Sequence, residues 1–305
     1  MRYTTSILAA CASLAIAGTA QATTITNGDL SMGLFDNGGL GSGGVGFRLA
    51  GAGDTGGDAI YRGCLCEGWG AAANGDGNHY VYGGSSTGFT SAAMSDVTAS
   101  SAKSTVVTSN GLTIVHNYSA VDGGTLFKID VVITNTGAAA ATDVRYARTL
   151  DWDVAPGYFG SNYTSIYVPG VAPEGNILHT SSNPFDVPNP MVTRSQEANT
   201  NISDSIGDKG SYFIFGFGDL EVGESAEFTT YIGAAFSVRT LLAAFGDVDV
   251  EAYSYTTASD RQTVYGYGFA GLGLPPIDEV PEPAALALFG LGVLGLGAAR
   301  RRRKA

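Results

Sequence analysis

Residues 125–134 read TLFKIDVVIT, and Phe127, Ile129, Val131 and Ile133 alternate there with Leu126, Lys128, Asp130 and Val132. A period of two with one uniformly apolar face belongs to a β-strand that buries one side, because successive side chains of an extended chain point to opposite faces. The stretch ends at Asn135-Thr136-Gly137, a turn signal. Residues 111–118 and 142–154 flank it as neighbouring strands, and residues 211–217, 226–235, 248–255 and 263–269 repeat its aromatic and β-branched character. Helical patterning is confined to 238–245, VRTLLAAF, which stops before Gly246. Strands at this spacing, separated by Gly, Asn, Asp and Ser turns, predict a mainly β chain whose body is an antiparallel β-sandwich with aligned sheets.

Composition narrows the alternatives. Apolar residues make up 44% of the chain and charged ones only 14%, which suits a packed core and argues against disorder or a coiled coil. The chain has 44 glycines, and residues 27–90 are richest in them, so short strands with long turns are expected there. No repeat of solenoid or propeller length is visible. The formal charge is −12, with 28 acidic residues against 16 basic ones. Phosphate binding rests on clustered Lys and Arg, so nucleic acid is excluded as a partner.

Both ends read as addresses. Residues 1–22 place Arg2 before an apolar run from Ile7 to Ala17 and then offer Ala20 and Ala22. That is a cleavable signal peptide, with Ala20 and Ala22 fitting signal peptidase and cleavage expected after Ala22. At the other end, residues 284–299 are uncharged and span about 24 Å as a helix, a short but sufficient single transmembrane helix if the bilayer thins locally. Arg300, Arg301, Arg302, Arg303 and Lys304 follow at once and act as the stop-transfer signal, staying cytoplasmic. The chain therefore divides into a signal peptide at 1–22, a β-sandwich ectodomain at 23–279 and a sorting tail at 280–305. Six of its basic residues lie in the two ends, so the body is more acidic than the whole.

The combination of Val280-Pro281-Glu282-Pro283, a short Leu/Gly/Ala span and an arginine run resembles the PEP-CTERM protein-sorting domain. The resemblance covers residues 280–305. It implies that an exosortase of a Gram-negative bacterium recognises Pro281, Glu282 and Pro283, removes the tail from an inner-membrane intermediate, and delivers the protein to the cell surface or beyond. It also implies a setting rich in exopolysaccharide, hence a biofilm or matrix role. Two prolines without backbone donors would hold the segment extended and accessible to such an enzyme. In the body, the strand, the ITNTG turn at 133–137 and the returning strand are similar to bacterial extracellular Ig-like modules, which implies a sandwich fold and no catalytic residue.

Candidate chemistry in the body is sparse. After loss of Cys11 with the signal peptide, Cys64 and Cys66 remain. Two thiols in an oxidising envelope invite a disulfide, which at this spacing needs a bend; a buried reduced pair and a metal or redox site are the alternatives. Asp151-Trp152-Asp153 would set two carboxylates on one strand face and the indole on the other, a candidate ligand or ion site, or else a solvated strand face. Residues 247–251, DVDVE, repeat the pattern and read more strongly as solvated surface. Residues 74–78 copy the start of a calcium loop, but His79 and Ser85 stand where glycine and glutamate are required. His79, His116 and His179 have no catalytic spacing, and no nucleophile elbow or phosphate loop occurs. The reading is a non-enzymatic surface or matrix protein, structural or adhesive, without a cofactor unless its carboxylates take calcium. The rival is a secreted carbohydrate-binding or glycan-hydrolysing protein using Asp151, Trp152 and Asp153.

Overall fold

A computed structural model describes residues 23–53, 57–171 and 175–277. The signal peptide with Ala20 and Ala22, the sorting motif at Pro281, Glu282 and Pro283, the expected membrane helix and the basic run through Lys304 lie outside those residues. Among the described residues no helix is long and apolar enough to cross a membrane.

The amino-terminal part supplies β1 (Thr23–Asn27), β2 (Leu30–Leu34), β3 (Phe47–Leu49), β4 (Glu67–Ala73), β5 (Asp76–Tyr82), β6 (Ser85–Thr87) and β7 (Phe89–Ser95). A run of long strands follows: β8 (Ser101–Thr108), β9 (Leu112–Ala120), β10 (Leu126–Asn135) and β11 (Ala141–Leu150). Beyond a single helical turn, α1 (Tyr158–Ser161), come β12 (Tyr163–Tyr167), β13 (Ile177–Ser181), β14 (Ile202–Ile206), β15 (Ser211–Leu220) and β16 (Ser225–Ala235). Helix α2 (Val238–Gly246), β17 (Ala252–Thr257) and β18 (Val264–Ala270) complete the order.

These strands form two large antiparallel sheets. One has nine strands in the order β14-β12-β17-β18-β16-β10-β9-β8-β7, and the other six in the order β13-β15-β11-β4-β5-β6. The alternation that defines β10 sets its register: Phe127, Ile129, Val131 and Ile133 are all buried, while Lys128 and Asp130 face outward. Aromatic rings fill the space between the sheets. Trp69 of β4 stacks on Phe89 of β7, with centroids 5.3 Å apart, and Phe213 of β15 meets Phe269 of β18 at 4.6 Å. The small sheet β1-β2-β3 closes one side of this core, where Phe47 packs against Phe127, Trp152 and Tyr265. The chain is thus mainly β and antiparallel, as its patterning predicts.

Helix α2 lies against the outer face of the nine-stranded sheet. Ser237 caps it by accepting the Thr240 N–H, and Leu241, Leu242 and Phe245 bury against Leu126, Tyr231 and Val264. The acidic run 247–251 does not form a strand. It leaves the helix as a turn, and its last member, Glu251, is buried, accepting the backbone N–H groups of Gly271, Leu272 and Leu274. Asp247 and Asp249 stay exposed as expected, so the correction falls on Glu251 alone: a carboxylate that gathers three amide donors is held inside by them.

Candidate carboxylate site

Strand β11 ends at Leu150, and the next residues leave the sheet as irregular extended chain. Two backbone bonds pin this exit. The Asp151 N–H donates to the Cys66 carbonyl at 3.0 Å and the Asp153 N–H to the Ala59 carbonyl at 2.9 Å. Because the chain is extended here, Trp152 points the opposite way and enters the core beside Tyr265 and Tyr267, with centroids 5.6 and 5.7 Å away. The indole is therefore a core residue and no platform for a ligand. The two carboxylates are not a solvated strand face either: Asp151 is 4% and Asp153 3% exposed. Neighbouring segments cover them, which the local pattern has no means to show.

Two glycines permit that cover. A Cβ on Gly210 would sit 2.1 Å from the Leu150 carbonyl oxygen, so only glycine lets the loop between β14 and β15 press against the end of β11. That close approach carries Asp208 to Asp151 and Asp153, and one oxygen of each of the three lies within 4.8 Å of the others. Asn162 ties the two segments, donating from its side chain to the Trp152 carbonyl and accepting the Gly207 N–H on its backbone oxygen. On the other side, a Cβ on Gly63 would fall 2.2 Å from Asp153 Oδ2 and 3.0 Å from the Phe159 ring. Gly63 leads into Cys64 and Cys66, which are joined in a disulfide with Cα atoms 5.0 Å apart. The two cysteines and the two aspartates, far apart in sequence, thus share one corner of the molecule.

Electrostatics at this corner are one-sided. Burial first, then the charges of Asp153 and Asp208, push the Asp151 carboxyl up to about 8. Burial and Asp208 push Asp153 up to about 7, and burial raises Asp208 itself. The rim is aromatic. Phe159, 49% exposed, borders Asp153 across Gly63; Tyr61, 42% exposed and two residues before Gly63, ties its hydroxyl to the Gly41 carbonyl, and Arg62 lies 5.4 Å from the centre of the Tyr158 ring. The carboxylate oxygens are closer together than the roughly 6.5–9.5 Å at which an inverting glycosidase pair holds its water.

A second buried polar group went unseen in the sequence. Glu67 of β4 and Arg148 of β11, neighbouring strands of the six-stranded sheet, form an ion pair on its inner face, with Glu67 fully enclosed. The other Glu67 oxygen accepts the Leu40 N–H at 2.8 Å, and Arg148 Nε donates to the Tyr267 hydroxyl at 2.9 Å. Burial pushes the Glu67 carboxyl up even against the attraction of Arg148. His116, also fully buried, bonds the Tyr146 hydroxyl at 3.0 Å and is held well below its usual value, first by burial and then by Arg148. His79 and His179 lie elsewhere, against Ser109 and Arg194, so the three histidines share no site.

Fold and site together define a β-sandwich body with one buried, uncompensated acidic corner. The chain also carries the PEP-CTERM protein-sorting motif, matched over residues 279–303, which makes it an exosortase-sorted, exported protein of the cell envelope or surface. The motif fits a carboxy-terminal membrane tail. The match does not extend into the body and lends the expected likeness to Ig-like modules no support. No curated protein matches the chain. Among solved structures, the body is similar to a "Putative aldose 1-epimerase" from Escherichia coli K12, at 8% identity over 85% of this chain and 89% of that one, with a TM-score of 0.32. The expectation of a non-enzymatic body stands against an enzyme's printed name there and is not carried further. A TM-score of 0.32 carries no argument about reaction, substrate or site.

Proposed function

We propose that this exported protein works in an exopolysaccharide matrix, where its body adheres to polysaccharide through the aromatic rim around Asp151, Asp153 and Asp208. In this reading signal peptidase cuts after Ala22, the tail holds the protein in the inner membrane, and the exosortase that reads Pro281, Glu282 and Pro283 then releases it to the surface. The observation that supports adhesion at this corner is the contact made through Gly63, which sets the exposed Phe159 ring beside the Asp153 carboxylate. An exposed apolar ring meets a sugar face, and Tyr61, whose hydroxyl is tied to the Gly41 carbonyl, loses little freedom on doing so.

Two measurements test this. Replacing Pro281 and Pro283 with alanine should leave the tail uncleaved, so that the mass of the protein recovered from its producing cells retains residues 284–305; normal processing would refute the sorting step. Binding of the mature protein to the producer's exopolysaccharide should weaken about tenfold in Phe159→Ala and in Tyr61→Ala, as loss of about 1.4 kcal/mol of stacking requires. Unchanged binding in both would remove this corner from the adhesion account.

A further inference from the structure

We propose that Asp151, Asp153 and Asp208 bind one calcium ion. Three carboxylates from two separate segments converge so that an oxygen of each lies within 4.8 Å of the others, a spacing that one cation between them would bridge. Calcium takes oxygen ligands at about 2.3–2.6 Å, so two oxygens on one ion stand roughly 3–5 Å apart.

The independent observation is an enclosed oxygen with nothing to bond. Asp153 is 97% buried, and its Oδ1 has no hydrogen-bond partner. Buried polar atoms are nearly always satisfied, and a buried carboxylate without a donor costs several kcal/mol unless a charge of opposite sign meets it. No such charge comes from the protein: among the described residues, none of the three aspartates takes part in an ion pair. Arg62, the closest basic residue in sequence to Gly63, is turned onto the Tyr158 ring. Asn162, which ties the two carboxylate-bearing segments, also has an enclosed and unpartnered Oδ1.

Ligand chemistry selects the ion. Every donor is a hard carboxylate oxygen, and the nearby sulfurs are locked in the Cys64–Cys66 disulfide, so a thiol- or imidazole-preferring metal finds no ligand. Asp208 is exposed, which leaves water to complete the shell. All three carboxylates sit on irregular chain, and calcium tolerates the uneven geometry that results, whereas magnesium demands a near-ideal octahedron. Three carboxylates with water place the affinity in the extracellular class, roughly 10⁻⁴–10⁻³ M, matched to a protein that works outside the cell.

The test uses mature protein recovered from its producer and stripped with a chelator, without polysaccharide, so that its outcome is separate from that of the adhesion reading. Calcium chloride titrated to about 10 mM should give saturable one-site binding by calorimetry, with magnesium chloride at least about tenfold weaker. Terbium, a hard oxygen-seeking stand-in, should show emission sensitised by Trp152, whose backbone lies between the two buried aspartates. Asp208→Asn, at an exposed position, should weaken calcium binding about tenfold or more with near-ultraviolet dichroism unchanged. Asp153→Asn is the second variant and should abolish binding while removing the cost of the orphaned charge. Absence of saturable binding by wild type, unaltered affinity in the folded variants, or equal affinity for magnesium would each overturn the proposal.

Discussion

Glu67→Gln is the perturbation that best probes how the sandwich is held together. The side chain keeps its size, but the carboxylate charge facing Arg148 disappears in a site where Glu67 is 0% and Arg148 2% exposed. The amide also cannot satisfy both partners. Glu67 now accepts from Arg148 with one oxygen and from the Leu40 N–H with the other, and glutamine must turn an NH2 group toward one of those donors. Breaking one side of an enclosed ion pair costs about 3–5 kcal/mol, because the remaining charge stays buried without compensation. At about 2–4 °C per kcal/mol for a body of this size, the melting temperature should drop by roughly 6–20 °C. Urea unfolding followed by the fluorescence of Trp69 and Trp152, both enclosed, gives the free energy directly, and an unchanged slope would show that the native and unfolded states are otherwise as before. Adding Arg148→Met removes the stranded charge, so the double variant should recover part of the loss, with a coupling of about 2 kcal/mol or more. A cost below about 1 kcal/mol for Glu67→Gln, or strict additivity in the pair, would refute an enclosed ion pair between these neighbouring strands.

The remaining predictions concern the buried histidine and the glycine behind the carboxylates. His116 is held below its usual value, so its neutral form belongs to the fold; the stability it contributes is complete above pH about 6.5 and falls by about 1.4 kcal/mol per unit below that. Asp151 and Asp153 are raised, so in the metal-free protein their contribution runs the other way, present below pH about 4 and lost as pH rises toward 7–8. Comparing His116→Gln with wild type from pH 7 to pH 5 isolates the histidine, and the variant should show the flatter decline; parallel curves would refute a neutral buried imidazole. Gly210→Ala should cost about 1–3 kcal/mol, since its methyl group meets the Leu150 carbonyl, and should draw Asp208 away from Asp151. Thermal melting and calcium titration of that variant check both effects, and a variant of wild-type stability would contradict the tight approach of the two segments.

Much of the architecture was legible because strand patterning is local. In β9 and β10 the apolar residues occur at the spacing that one buried face requires, β15, β16 and β18 are read from their aromatic and β-branched runs, which are buried on consecutive residues, and α2 falls on the one stretch with helical patterning. Periodicity failed at chain exits. Residues 151–153 alternate like a strand, yet β11 ends at Leu150, and the acidic run 247–251 bends into a turn whose Glu251 caps three amides. The addresses at the two ends depend on contiguous residues, so the sorting motif over 279–303 is readable without any fold.

What the sequence determined by itself was therefore the strand class and the exported destination, each written in neighbouring residues. Only tertiary structure decided which charges are enclosed. Asp208 joins Asp151 and Asp153 because Gly210 lets one backbone lie on another, and Glu67 meets Arg148 because β4 and β11 pair side by side. Such contacts depend on which distant segments exclude water together, a property of the packed chain that local spacing does not carry.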